Sequence, residues 1–351
     1  MKRTFQMKKI IILLIIFIPL LLQARQEGKA RIDSLLKELP KQKEDTNKVR
    51  LLNDISHTYY GIDADEGIKY GQIGLALAEH LGFKNGMAQS YIYVAGCYKL
   101  QNNYNEALKD YSAGLKLCEE TGYKKGIANG YYGIGTIYSN QNIYPEALKN
   151  ISIALKIFEE ESEKSSIANC YGILCDIYAS QANYPEALKY ENNALALYKT
   201  VDNKNGIANC YYYIGMVNNL LGNYPEAVKN SFSAINIYEE SGNKQGMFST
   251  YVTIGLVNEH NGNHAEALRC YDSALKIMEE AGMKDSRNVV FQNIGAVYFD
   301  EGNYPEALNN YKNALKISEK INDKTGMGNC YYNFGNIYGN ERNYPEALNN
   351  F

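Results

Sequence analysis

Two histidines four residues apart, His260 and His264, stand beside Glu259 and Glu266, and imidazole with carboxylate is a ligand set for a divalent metal. Ligation needs those groups on one face. The local pattern instead spreads them over a helix end, a turn and the next helix start, and related stretches carry Asn140 and Tyr144 at the histidine positions. They read as exposed turn residues, and no metal site is expected. Among seven cysteines, Cys170, Cys210 and Cys330 share one phase, where Gly130, Thr250 and Val290 stand elsewhere. A small-residue packing position accounts for all six. Direct disulfides between them are disfavoured, because bridged Cα atoms lie within about 7 Å of one another. The sequence holds no Walker loop, GxSxG, HExxH or CxxC, so no catalytic residue, cofactor or enzymatic activity is expected from it.

Composition points to a recurring unit. The 351 residues include no Trp but 32 Tyr and 29 Gly, and 36 basic residues against 39 acidic ones give a formal charge of −3. No run of one sign stands out, so the electrostatic footprint of a nucleic-acid binder is missing. The tyrosines recur in phase, which makes them repeat core before base-stacking platforms. An odd cysteine count excludes a fully paired disulfide framework.

At the N-terminus Lys2, Arg3, Lys8 and Lys9 precede an apolar run from Ile10 to Leu22 and then Gln23-Ala24, the order of a secretory signal peptide over residues 1–24. Export to the periplasm or cell envelope is the expected localisation. As a helix the run would reach only about 20 Å against about 30 Å of hydrocarbon, so a membrane anchor is disfavoured. Membrane contact would come only through an uncleaved signal or a segment beyond Phe351. The first cysteine is Cys97, which leaves no lipid-bearing N-terminal Cys; the processed chain carries about −7.

What must position every one of these residues is a repeat. Tyr104, Tyr144, Tyr184, Tyr224, His264, Tyr304 and Tyr344 lie 40 residues apart, followed by NEAL, PEAL, PEAL, PEAV, AEAL, PEAL and PEAL. The expected organisation is a helical leader over 25–46, a degenerate unit over 47–86, six full units over 87–326 and a truncated one over 327–351. Ala147, Leu148, Ile151, Ala154, Leu155 and Phe158 keep helical spacing, with Pro145 and Glu146 suited to a first turn. A preceding helix over about 127–140 places Tyr131, Ile134, Gly135 and Tyr138 on one face. Gly82, Gly122, Gly242 and Gly282 fall just past the second helix, as left-handed terminators do. Each unit is thus two antiparallel helices. A Lys recurs at every joint (Lys84, Lys124, Lys164, Lys204, Lys244, Lys284, Lys324), and reads as a cation completing the negative end of the preceding helix near Glu119 or Glu239.

These units resemble tetratricopeptide repeats. The family's aromatic, Leu-Gly, Tyr, Ala, aromatic pattern stands here as Phe291, Ile294-Gly295, Tyr298, Ala307 and Tyr311, with Tyr91, Tyr131, Tyr171, Tyr211, Tyr251 and Tyr331 where the family often has Trp. The resemblance covers about 47–351. Forty residues rather than 34 place the chain with the subclass found in kinesin light chains, the additional six lying at joints such as Gly242-Asn243-Lys244-Gln245-Gly246. Departures occur at Cys175, Asn218, Asn258, Glu191 and Ser231, so looser packing is expected over 167–246.

The resemblance implies an all-α, right-handed superhelical solenoid of antiparallel helix pairs, with first helices lining a concave groove. Its contact positions carry over as Asn129 and Tyr132, then Asn169, then Asn209, Tyr212, Met216 and Leu220, then Leu256, then Phe299, then Asn329 and Tyr332, with Lys99 the single basic residue beside Asp176, Glu259 and Asp300. One cation disfavours clamps that hold acidic C-termini with several. Amides and phenols with an apolar centre suit a protein or extended peptide. Secreted arrays of this kind resemble the N-terminal halves of bacterial sensor proteins, so an extracytoplasmic binding scaffold within a longer signalling protein is expected. The chain stops a few residues into a helix, which reads as a fragment, with Ala347 and Leu348 uncovered. Rival readings are a substrate-recruiting region of an enzyme whose catalytic domain lies beyond Phe351, and a ligand-free, self-assembling envelope component.

Overall fold

The computed structural model describes residues 23–283 and 286–351, with side chains from residue 29. Residues 1–22 of the expected signal peptide and Lys284 of the joint series lie outside the described residues. Every regular element described is helical. A leader helix α1 (Gln23–Glu38) and a 3-10 turn (Leu39–Lys41) precede the first pair, α2 (Thr46–Tyr59) and α3 (Ala64–His80). Then follow α4 (Lys84–Leu100) with α5 (Tyr104–Thr121), α6 (Lys124–Asn140) with α7 (Tyr144–Glu160), and α8 (Lys164–Ser180) with α9 (Tyr184–Thr200). The series continues with α10 (Lys204–Leu221) and α11 (Tyr224–Glu240), α12 (Lys244–His260) and α13 (His264–Ala281), α14 (Arg287–Asp300) and α15 (Tyr304–Lys320), α16 (Lys324–Asn340) and α17 (Tyr344–Asn350). The chain divides into two compact units, one running to Cys210 and the other from Tyr211. In each, neighbouring first helices touch (α2–α4–α6–α8; α12–α14–α16) while neighbouring second helices make little contact. The first helices form the tighter layer.

Repetition reaches down to the hydrogen bonds that end each helix. At the end of α5, Gly122 N–H donates to Glu119 O at 3.3 Å and Tyr123 N–H to Cys118 O at 2.9 Å, the paired bonds of a Schellman motif. The motif requires a left-handed residue, and φ is +68° at Gly122. The turn inside each pair has the same form, with Asn142 at φ +60° donating to Ser139 O and Ile143 donating to Tyr138 O. Only two or three residues separate α5 from α6 or α7 from α8. The additional six residues are therefore not an extended joint: the first helix begins at the joint Lys, at 124 rather than about 127. Gly126 and Gly246 lie inside these helices because a Cβ there would run into the Tyr123 and Tyr238 rings.

Starting the helix at the Lys also changes its partner. Lys84 Nζ reaches Glu120 Oε2 at 2.8 Å, Lys124 reaches Glu161 Oε1 at 3.4 Å and Lys244 reaches Glu280 Oε2 at 2.8 Å. Each cation bridges the start of a first helix to the end of the second helix of its own antiparallel pair, correcting the expectation that it completes the preceding helix. These pairs are exposed and hold little energy.

Packing within a pair follows a size trade. Gly255 on α12 faces the fully buried Tyr271 ring of α13, and Gly295 on α14 faces Tyr311 of α15; a Cβ on either glycine would overlap the ring. The pair α8/α9 exchanges both partners, Cys175 for the glycine and Glu191 for the aromatic, and both are buried. Asn218 and Asn258 are also buried, donating to Ile214 O at 2.8 Å and Ile254 O at 2.9 Å. The departing residues are thus buried, and among the described residues the Ser231 hydroxyl has no hydrogen-bond partner. At α17, Ala347 is buried, contrary to expectation, while Leu348 is 76% exposed.

Candidate functional site

The layer of first helices carries the residues expected to meet a ligand. In the unit ending at Cys210, Asn129, Tyr132 and Asn209 are half-buried, and Asn169 is exposed with its Oδ1 accepting from the Tyr198 hydroxyl. In the unit from Tyr211, the structure brings four expected residues together. Tyr212, Met216 and Leu220 of α10 and Leu256 of α12 line, with Asn219, Val252 and Thr253, a cavity of about 20 Å³. That is room for about one water, a mainly apolar notch with an amide and a hydroxyl at its edge. Helical spacing puts Thr253 three residues before Leu256, a signal sufficient to have included it. Phe299 is not in this lining; its ring lies 5.7 Å from Tyr304 of its own pair. Asn329 and Tyr332 are half-buried on α16, with the Tyr332 ring 5.7 Å from Phe351.

The two histidines are half-buried rather than exposed. His260 Nδ1 lies 3.1 Å from Asn219 Oδ1, and His264 Nδ1 lies 3.4 Å from Glu301 Oε1. Different partners hold each, and no cluster able to hold a metal ion is found among the described residues. The seven cysteines are all buried and free. Burial pushes the Cys170 and Cys330 thiols up to about 12, the environment of inert packing thiols.

Sequence reasoning missed an acidic cluster in α8–α10. Glu191, 3% exposed, accepts hydrogen bonds from the Cys210 and Cys175 thiols. Burial pushes its carboxyl up to about 7, against the opposing pull of those thiols. Asp176, half-buried on α8, is pushed up to about 8 by burial and then by the Glu191 charge. Two neighbouring carboxyls thus hold protons that exposed ones release, and a lone Glu at an aromatic phase was the signal.

Paired helices in a 40-residue register define a helical-repeat interaction scaffold. The family model for the tetratricopeptide repeat matches residues 166–240, 206–280 and 287–351, just over half of the chain, and the chain belongs to that family. No curated protein matches it. Similar solved structures include the apo quorum sensor NprR from B. thuringiensis, 14% identical over 93% of this chain and 97% of that one, with TM-score 0.66. A Rap protein complexed with Competence and Sporulation Factor is 17% identical over 93% and 91%, with TM-score 0.64. Aspartyl phosphate phosphatase F from Bacillus subtilis is 13% identical over 88% and 93%, with TM-score 0.60. At these identities the likeness is one of fold. Among the described residues no helix is long and apolar enough to cross a membrane.

Proposed function

We propose that this chain is an exported scaffold that binds a protein or an extended peptide on its layer of first helices, as the N-terminal sensing part of a bacterial signalling protein. The observation that carries the reading is the notch between α10 and α12, where the half-buried Leu220 and Leu256 and the edges of the buried Tyr212 and Met216 lie beside the Asn219 amide and the Thr253 hydroxyl. The notch is too small to enclose a side chain, so apolar side chains of an extended segment would lie over its rim while the amides meet the backbone. Similar folds are named as a quorum sensor and as a Rap protein complexed with Competence and Sporulation Factor, which favours sensing. The basic and then apolar order of residues 2–22 supports export.

Two measurements test this. Peptides selected from a random library on residues 25–351 are titrated against Met216→Ala and Leu256→Ala, with circular dichroism confirming that each variant is folded. Loss of a buried apolar side chain is worth about 1.5–3 kcal/mol, so affinity falls by about tenfold or more; unchanged affinity in both folded variants refutes the site. A fusion of residues 1–46 to an export-dependent phosphatase reporter is active if the N-terminus directs export and silent if it does not.

A further inference from the structure

At one phase of the second helices a side chain reaches between two first helices. Tyr111 of α5 stands between Gly96 of α4, where a Cβ would lie 3.7 Å from its hydroxyl, and Gly133 of α6, where a Cβ would overlap its ring. Tyr311 of α15 stands likewise between Gly295 of α14 and Phe334 of α16, the two ring centroids lying 6.4 Å apart. Ile151 and Tyr271 hold the same phase and are fully buried. In α9 the position belongs to Glu191, 3% exposed. Its carboxyl reaches in the same two directions, accepting from the Cys175 thiol of α8 and the Cys210 thiol of α10. A ring or an aliphatic chain there is indifferent to pH, and a carboxyl is not.

The groups facing Glu191 offer it no opposite charge. Besides the two thiols they are Asp176 of α8 and Tyr198 of α9, both of which feel its charge. Asp176 in turn faces Cys175 and, on α6, Tyr132. Among the described residues the one cation felt in this group, Lys199 of α9, acts on Cys210 and on neither carboxyl. Thiols are weak donors, so two of them do not replace the hydration that an ionised carboxylate needs. Burial accordingly holds Glu191 up to about 7, and burial with the Glu191 charge holds Asp176 up to about 8. In an opened, hydrated seam both carboxyls would ionise in the ordinary range. The closed seam therefore keeps protons that the open one releases, and opening becomes easier as pH rises toward the raised values and is level above them. The two carboxyls share that titration.

We infer that Glu191 and Asp176 form a proton-operated seam: protonated, Glu191 ties α8 to the first two turns of α10 through Cys175 and Cys210, and ionised, it admits water and lets them part. Asn169 lies on α8 and Asn209 on α10, so the closed seam fixes the spacing of two inward residues. A peptide that spans both binds the closed form alone, and by linkage it slows opening. That coupling rests on the reading of the first helices as the ligand layer; the seam does not.

Hydrogen exchange read by mass spectrometry tests this on the chain expressed in full, from pH 6 to pH 8.5, with each rate divided by the intrinsic rate at that pH. Fragments covering 170–178, 187–195 and 205–212 should open about tenfold more often at the upper pH, since each pH unit over which only the closed seam holds the proton is worth a factor of ten. Fragments of α12 and α13, where Tyr271 holds the same phase, should not change. In Glu191→Gln the rise should vanish, and in Asp176→Asn, which keeps Glu191, it should level off at lower pH. Exchange that is flat with pH, a rise shared equally by α12 and α13, or a rise that persists in folded Glu191→Gln overturns the seam and leaves the ligand layer standing. Peptides selected from a random library, and weakened by Asn169→Ala, should then slow the opening at pH 8.5. Such a peptide bound without slowing it overturns the coupling, and a library with no binder overturns the ligand layer while the seam stands.

Discussion

Replacing Glu191 by Gln should reverse the ordinary response of a buried position to loss of a charge-bearing group. In the folded chain the Glu191 carboxyl is raised from 4.5 to about 7 by burial. Folded protein therefore holds a proton that unfolded chain releases, and stability falls as pH rises between those values and is level above the upper one. The shift corresponds to about 3 kcal/mol, at 1.36 kcal/mol per unit. Asp176 titrates with it, so the pair behaves as one system and the two contributions do not add. Gln keeps the size, can still meet the Cys175 and Cys210 thiols, and cannot ionise. Urea denaturation followed by circular dichroism from pH 5 to pH 9 measures the effect as a difference between wild type and Glu191→Gln. The variant should be close to wild type at pH 5 and more stable at pH 8 by up to about 3 kcal/mol. A difference that is flat with pH, or that favours wild type at pH 8, refutes the buried, protonated carboxyl.

Other outcomes follow from the packing. Gly255→Ala should cost about 1–3 kcal/mol in denaturant unfolding, because the new methyl group meets the fully buried Tyr271 ring; a neutral result would mean that the ring has room to move. Cys170→Ala and Cys330→Ala should each cost about 1 kcal/mol, and reducing agent should not shift the melting temperature, since all seven thiols are free. Lys244→Ala should leave the melting temperature within experimental scatter, its partner Glu280 being exposed on the surface.

The 40-residue phase made the helix pairs legible because each pair buries the same positions: Ala147, Ala187, Ala227 and Ala267 are all fully buried. Helix starts were harder to read. Gly126 and Gly246 look like breakers in a linear sequence, yet they are interior positions where a ring leaves no space for a side chain. The joint lysines were paired with the wrong helix for a related reason. Local reasoning sees the helix just ended, whereas antiparallel folding brings Glu120 to Lys84 across 36 residues. At the candidate site the phase located Tyr212, Met216, Leu220 and Leu256 correctly as neighbours. It could not show that Phe299 turns to Tyr304, nor that the Lys99 ammonium lies over the Tyr60 ring. Those are properties of contacts between pairs, which a repeat pattern averages away.

The central claim is that ligands meet the first helices. Photo-crosslinking tests it most directly, with benzoylphenylalanine placed at Leu220 on α10 or at the exposed Phe232 on α11, and with peptides selected from a random library on residues 25–351. Crosslinks from position 220, competed by unlabelled peptide and missing at position 232, are the predicted result. Competed crosslinks from position 232 with none from position 220 would place the ligand on the second helices and contradict the account.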